Sequence, residues 1–207
     1  MVLKEPHRRW VFLATISILL LAAISLATTM PNTACTHESW GAQVAEAADW
    51  FLKHKKAPKR RDCSGLVIAI LDRAGMAISG GVRDMWQQAK ADGRVADEPH
   101  PGYLVFFNRT YDKNQNGKED DLLTHIAIVI DVGDDGKIGM VHLGNRGIRP
   151  LRMNRARPHQ HRDGSKVVND YLSNYRLKTQ RKSRLTAELY HSYASPPGPE
   201  CSLSTQQ

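Results

Sequence analysis

Arg61-Asp62-Cys63-Ser64-Gly65-Leu66-Val67-Ile68-Ala69-Ile70-Leu71 sets one thiol ahead of two small residues and an apolar run, so the cysteine stands at the start of a helix. A helix N-terminus carries unpaired backbone N–H groups and the positive end of the macrodipole. Both favour thiolate over thiol and can receive an oxyanion. Two readings of Cys63 follow: a nucleophile, or a small buried hydrophobe, the common fate of a free cysteine.

The residues around this stretch decide what the thiol can work with. The chain has 207 residues, 41% hydrophobic and 24% charged, enough for one globular domain with appendages. Its net charge of +8 draws it to polyanions such as nucleic acid, anionic membranes or acidic wall polymers, without choosing among them. The N-terminus narrows that choice. Lys4, Arg8 and Arg9 precede an uncharged, largely apolar run from Trp10 to Ala27, which reads as an export signal or a membrane anchor. Ser25-Leu26-Ala27 suits a cleavage site, and Asn32-Thr33-Ala34-Cys35 loosely matches a lipoprotein box that would want Leu at Asn32. The expected location is therefore extracytoplasmic: periplasm, envelope or medium, with membrane contact through this segment. In such a space Cys35 and Cys201 could pair across the mature chain's two ends, leaving Cys63 as the odd thiol. No Cys-x-x-Cys pair or zinc-like Cys/His spacing exists.

Along the chain, helical patterns come first and strands second. Trp40, Val44, Ala47, Ala48, Phe51 and Leu52 recur at helical steps between His37 and His54, followed by a basic, proline-broken loop from Lys53 to Arg61. That loop is a solvated connection or a patch for anionic polymer. Gly75 ends the cysteine helix, and Val82 to Ala91 predicts another, with Met85, Trp86 and Ala89 on one side. Tyr103 to Phe107 is a buried strand by its aromatic and branched content. His125 to Val132 is a second strand, Gly133-Asp134-Asp135-Gly136 is hairpin chemistry, and Lys137 to His142 returns. His125 and His142 thus meet at the hairpin's open end, where two imidazoles can serve as a base and its orienter.

Taken in order, Asp62-Cys63-Ser64-Gly65-Leu66-Val67, Pro101-Gly102-Tyr103-Leu104-Val105-Phe106-Phe107, Thr124-His125-Ile126-Ala127-Ile128-Val129 and Met140-Val141-His142 resemble the NlpC/P60 family of cell-wall peptidases, with the related CHAP amidases sharing the same papain-like logic. The resemblance covers roughly Trp40 to Arg149. It implies an α+β papain-like fold, N-terminal helices packed on a central antiparallel sheet. It also implies a cysteine hydrolase that cuts amide bonds of peptidoglycan stem peptides or cross-links. Residue by residue it implies Cys63 as nucleophile, His125 as general base and His142 as orienter, with Asn145 the alternative orienter and Asp62 and Ser64 on the substrate or oxyanion side. The chemistry itself requires no cofactor. The chain departs from the family in one place, since no tyrosine stands between His37 and Arg61, only Trp40 and Trp50.

Three further expectations complete the reading. Asp112-Lys113-Asn114-Gln115-Asn116-Gly117 matches the first half of a calcium loop, but Leu123 stands where its last glutamate belongs. Asp112, Asn114, Asn116, Lys118, Asp120 and Asp121 are the candidate ligands for a structural Ca2+; the other reading is a polar turn that binds nothing. Past Pro150 the chain is basic and weakly patterned, then Tyr171 to Leu177 suggests a strand and Arg181 to Tyr193 a closing helix, with Leu185, Leu189 and Tyr193 on one face. The organisation expected is a signal or anchor over 1–36, a catalytic domain over 37–194 and a disordered tail over 195–207. Peptidoglycan or another wall polymer is the expected partner, the chain is expected to be a monomer, and nucleic acid is not expected because export and the lack of aromatic-basic interleaving oppose it. The alternative of another class is a catalytically silent wall-binding module of the same fold.

Overall fold

A computed structural model of the chain describes residues 37–176 and 181–198. The N-terminal apolar run, Cys35 and Cys201 lie outside the described residues, and so does most of the expected tail. Among the described residues no helix is long and apolar enough to cross a membrane.

Among the described residues three helices lead: α1 (His37–His54), α2 (Cys63–Arg73) and α3 (Val82–Ala91). Ten strands follow: β1 (Val95–Ala96), β2 (Leu104–Phe107), β3 (His125–Val132), β4 (Ile138–Gly144), β5 (Gly147–Met153), β6 (Arg162–Asp163), β7 (Lys166–Val167), β8 (Tyr171–Arg176), β9 (Arg181–Leu185) and β10 (Tyr190–Ala194), with a one-turn helix α4 (Thr186–Leu189) before the last. Six of these strands form one antiparallel sheet in the order β1-β10-β2-β3-β4-β5, while β6–β7 and β8–β9 are separate hairpins. The architecture is α+β, with helices packed on a central antiparallel sheet.

The apolar runs in β2 and β3 reflect burial on both faces of the sheet. Leu104, Phe106, Ile126 and Ile128 join Val44, Phe51, Leu66, Ile70 and Met85 in a core between sheet and helices. The alternate residues Val105, Phe107, Ala127 and Val129 join Met140, Leu151, Met153, Leu189 and Tyr193 in a second core on the opposite face. A strand covered on one side only would alternate polar with apolar; coverage on both sides removes the alternation.

The closing helix expected over Arg181–Tyr193 is not formed. Its residues build β9, the single turn α4 and β10, and β10 is inserted between β1 and β2. Leu185, Leu189 and Tyr193 are all buried, as their spacing suggested. Leu189 and Tyr193 reach the second core from a turn and a strand, so a four-residue interval imitated helical periodicity. The strand begun at Tyr171 is present as β8, and the weakly patterned stretch around Pro150 contains a full strand, β5, paired with β4 from Ile138↔Met153 to Gly144↔Gly147. Past the sheet, Ser195 is buried and its N–H donates to the Arg94 carbonyl at 2.9 Å.

Candidate active site

Cys63 is the first residue of α2, and Asp62 caps the helix: its Oδ1 accepts the Gly65 N–H at 2.7 Å. Asp62 Oδ2 in turn accepts Arg60 Nε–H at 2.7 Å, and Arg60 Nη1 donates to the Gly80 carbonyl at 2.8 Å, tying the entry of α2 to the loop before α3. Gly65 is required by the same geometry. A Cβ there would collide with the Arg60 carbonyl, so no larger residue lets the loop pass so close to the helix.

The sheet supplies the histidines. His125 opens β3, and alternation along β3 and β4 puts His125 and His142 on the face of Ala127, Val129 and Met140. Nε2 of His125 and Nδ1 of His142 lie 3.0 Å apart, with ring centroids at 5.1 Å. His142 is held from its other side by Gly144, where a Cβ would come within 3.0 Å of the imidazole Cε1. Arg149 stands opposite His142 in the β4–β5 register. Cys63, His125 and His142 line one cleft of about 890 Å³, together with Asp62, Tyr111 and Asn145.

The electrostatics of this cleft differ from the expectation for a helix-start thiol. Burial pushes the Cys63 thiol above its ordinary value, and the Asp62 carboxylate adds to the rise. Hydrogen bonds from the Ile126 backbone and from the Ser64 hydroxyl and backbone pull the other way without overcoming it. Burial also drives His125 down to about 3, aided by its neighbour His142. His142 falls to about 4 through burial and the Arg149 charge. The resting site is therefore a neutral thiol beside two neutral imidazoles. In that state one ring of the pair donates and the other accepts. If His125 Nε2–H donates to His142 Nδ1, the lone pair of His125 rests on Nδ1.

The remaining expected residues fall as follows. Ser64 is 2% exposed, and its hydroxyl helps to lower the Cys63 thiol, so its side chain acts on the thiol from within the core. Asn145 sits exposed in the β4–β5 turn at the cleft edge, whereas His142 is the residue within hydrogen-bond reach of His125. In the 112–121 loop, Asp112 accepts the Asn116 and Gly117 N–H groups at 3.2 and 2.8 Å. Asn114 Oδ1 accepts Asn116 N–H, Asn116 Nδ2 donates to Asp120, and Asp121 accepts Lys113 N–H at 2.7 Å. Lys118 gives its N–H to Asn116 Oδ1. These side chains close the loop on its own amides, and among the described residues no three His, Cys, Asp or Glu side chains converge on a cation-sized point.

Tyr111 is a cleft residue that the linear pattern does not announce. It arrives from the loop after β2 and stands near Cys63. The signal available was the cluster of loop-forming residues between β2 and β3, which marks an excursion but not its direction.

The NlpC/P60 family model matches residues 39–162 of the chain. A crystal structure from Staphylococcus aureus subsp. aureus Mu50, described as similar to a lipoprotein of the NLP/P60 family, is 20% identical with a TM-score of 0.37. The alignment covers 54% of this chain and 36% of that one, so the chain spans about a third of that protein. No curated protein matches the chain.

Proposed function

Because the chain belongs to the NlpC/P60 family, whose members are typically cysteine peptidases or amidases, we propose that it is an exported cysteine hydrolase that cleaves amide bonds of peptidoglycan stem peptides or cross-links. The observation that carries this reading is the 3.0 Å His125–His142 pair facing the same cleft as a thiol at the head of a capped helix.

In this mechanism Cys63 Sγ attacks the amide carbonyl carbon and a C–S bond forms. The thiol proton passes to Nδ1 of His125 as attack proceeds. His142 accepts the Nε2–H of His125, which fixes the ring and its tautomer and leaves Nδ1 free. The oxyanion is received by the Cys63 backbone N–H at the start of α2. His125 then returns the proton to the leaving amine as the C–N bond breaks. Water activated by the same imidazole attacks the thioester, releasing the carboxylic acid and restoring the thiol. With the thiol protonated and His125 neutral at rest, the proton moves to the imidazole only as the C–S bond forms and not in a prior ion-pair equilibrium.

Replacing Cys63 by Ala and measuring muropeptide release from purified sacculi tests the proposal: release should vanish, and undiminished release from Cys63→Ala would refute it. Sacculus binding with no wild-type release would favour the silent wall-binding module. Export rests on the 1–36 segment alone. Calcium in the 112–121 loop is a separate proposal resting on its alternating oxygen side chains, and calorimetry without heat at millimolar calcium would remove it.

A further inference from the structure

The cleft is lined by the start of α2, with Asp62 and Cys63, and by the loop between β2 and β3, which carries Tyr111. Tyr111 is 49% exposed, and its phenol oxygen has no protein partner among the described residues. Its backbone, by contrast, is tightly held. Thr110, just before it, bonds Thr124 Oγ1 through both its N–H and its hydroxyl at 2.9 Å. Arg109 N–H donates to the Asp121 carbonyl at 2.8 Å, and Leu123 N–H donates to Asn108 Oδ1 at 2.9 Å. Farther out, Arg184 pairs with Glu119 at 2.7 Å and anchors the loop to β9. Thr124 immediately precedes His125, so the segment that places Tyr111 is bonded to the residue that leads into the histidine strand.

A ring on a fixed backbone with an open tip is a preorganised hydrogen-bonding group, and such groups bind with little loss of entropy. Its surroundings also determine which role it can play. Partial burial opposes a phenolate, and the negative charge that Cys63 takes on when ionised, with Asp121 and Asp62, adds to it, so the group keeps its proton and donates.

We propose that Tyr111 is a substrate-binding residue whose phenol O–H donates to a peptide carbonyl beside the scissile amide, from the β2–β3 loop that lines the cleft with Cys63. The inference rests on the cysteine-hydrolase reading for its substrate class. It gives the site an aromatic donor from a loop downstream of the nucleophile, in a chain that has no tyrosine between His37 and Arg61.

Two variants separate this role from a structural one. Tyr111→Phe removes one oxygen from a half-exposed ring and leaves the melting temperature unchanged, whereas kcat/KM on soluble muropeptides, released from sacculi by a muramidase, should fall roughly five- to tenfold, as for loss of one hydrogen bond. Tyr111→Ala should fall further. A Tyr111→Phe enzyme within twofold of wild type, alongside an inactive Cys63→Ala, overturns the proposal and leaves the hydrolase reading standing. Binding of the same muropeptides, measured by calorimetry on Cys63→Ala with and without Tyr111→Phe, reads the tyrosine without turnover. Weaker binding of the double variant supports the proposal, and equal binding overturns it.

Discussion

Acid should destabilise this domain through its histidine pair. His125 and His142 stay neutral in the fold, held down to about 3 and about 4, and in the unfolded chain each returns to about 6.5. Between those values the unfolded state binds more protons, so stability is full above about 6.5 and falls as pH falls toward the folded values. At pH 5 each group lies roughly 1.5 pH units below its unfolded value, which at about 1.4 kcal/mol per unit is a loss of about 2 kcal/mol per histidine. This figure hardly depends on the folded values, because both lie below pH 5. The pair together would lose up to about 4 kcal/mol, a large part of the stability of an ordinary domain. The assay is urea unfolding followed by tryptophan fluorescence at pH 7 and pH 5, for wild type, His125→Gln and His142→Gln. Each variant should lose about 2 kcal/mol less than wild type over that interval. Equal losses in all three proteins would refute the claim that the fold holds these rings neutral.

Two substitutions probe the same site from its edges. Asp62→Ala removes the cap and the Arg60 tie, and should cost about 0.5–2 kcal/mol in chemical denaturation; by removing the carboxylate that raises the Cys63 thiol, it should also speed iodoacetamide alkylation at a fixed pH. Slower alkylation would show that the cap's ordering of the helix start outweighs its charge. Gly144→Ala brings a methyl against the His142 ring, so muropeptide release should fall severalfold with little change in melting temperature, and full activity would mean that the ring is not held there.

The α2 thiol, the β3–β4 hairpin and both histidines could be read from the chain because each depends on neighbours close in sequence. Asp62 caps within its own turn, and the Gly133–Gly136 turn sets two strands side by side. β5 was obscured because Arg149, Pro150 and Arg152 interrupt its apolar residues on the sheet's edge. β10 was misread because pairing with β2, far back in the chain, outweighed a helical-looking interval. The raised Cys63 thiol was not legible at all. A helix start is visible in sequence, but the depth at which the fold buries it is not, and here burial outweighs the Ile126 and Ser64 hydrogen bonds that favour the thiolate. Tyr111 escaped for a similar reason, since its approach to Cys63 depends on Thr110 and Thr124 closing the base of a loop.

The place of β10 in the sheet bears on when this domain can exist at all. Tyr190–Ala194 is the last strand among the described residues to be synthesised, yet it lies between β1 and β2 rather than at an edge. Until it arrives, the Leu104–Phe107 strand has one side unpaired and the second core lacks Tyr193. A chain still emerging, or cut short of Tyr190, can therefore present the α2 cysteine and its hairpin histidines but not the closed sheet that holds them together. Completion of the sheet, and with it any activity of the thiol, is tied to the late-made Tyr190–Ala194 strand.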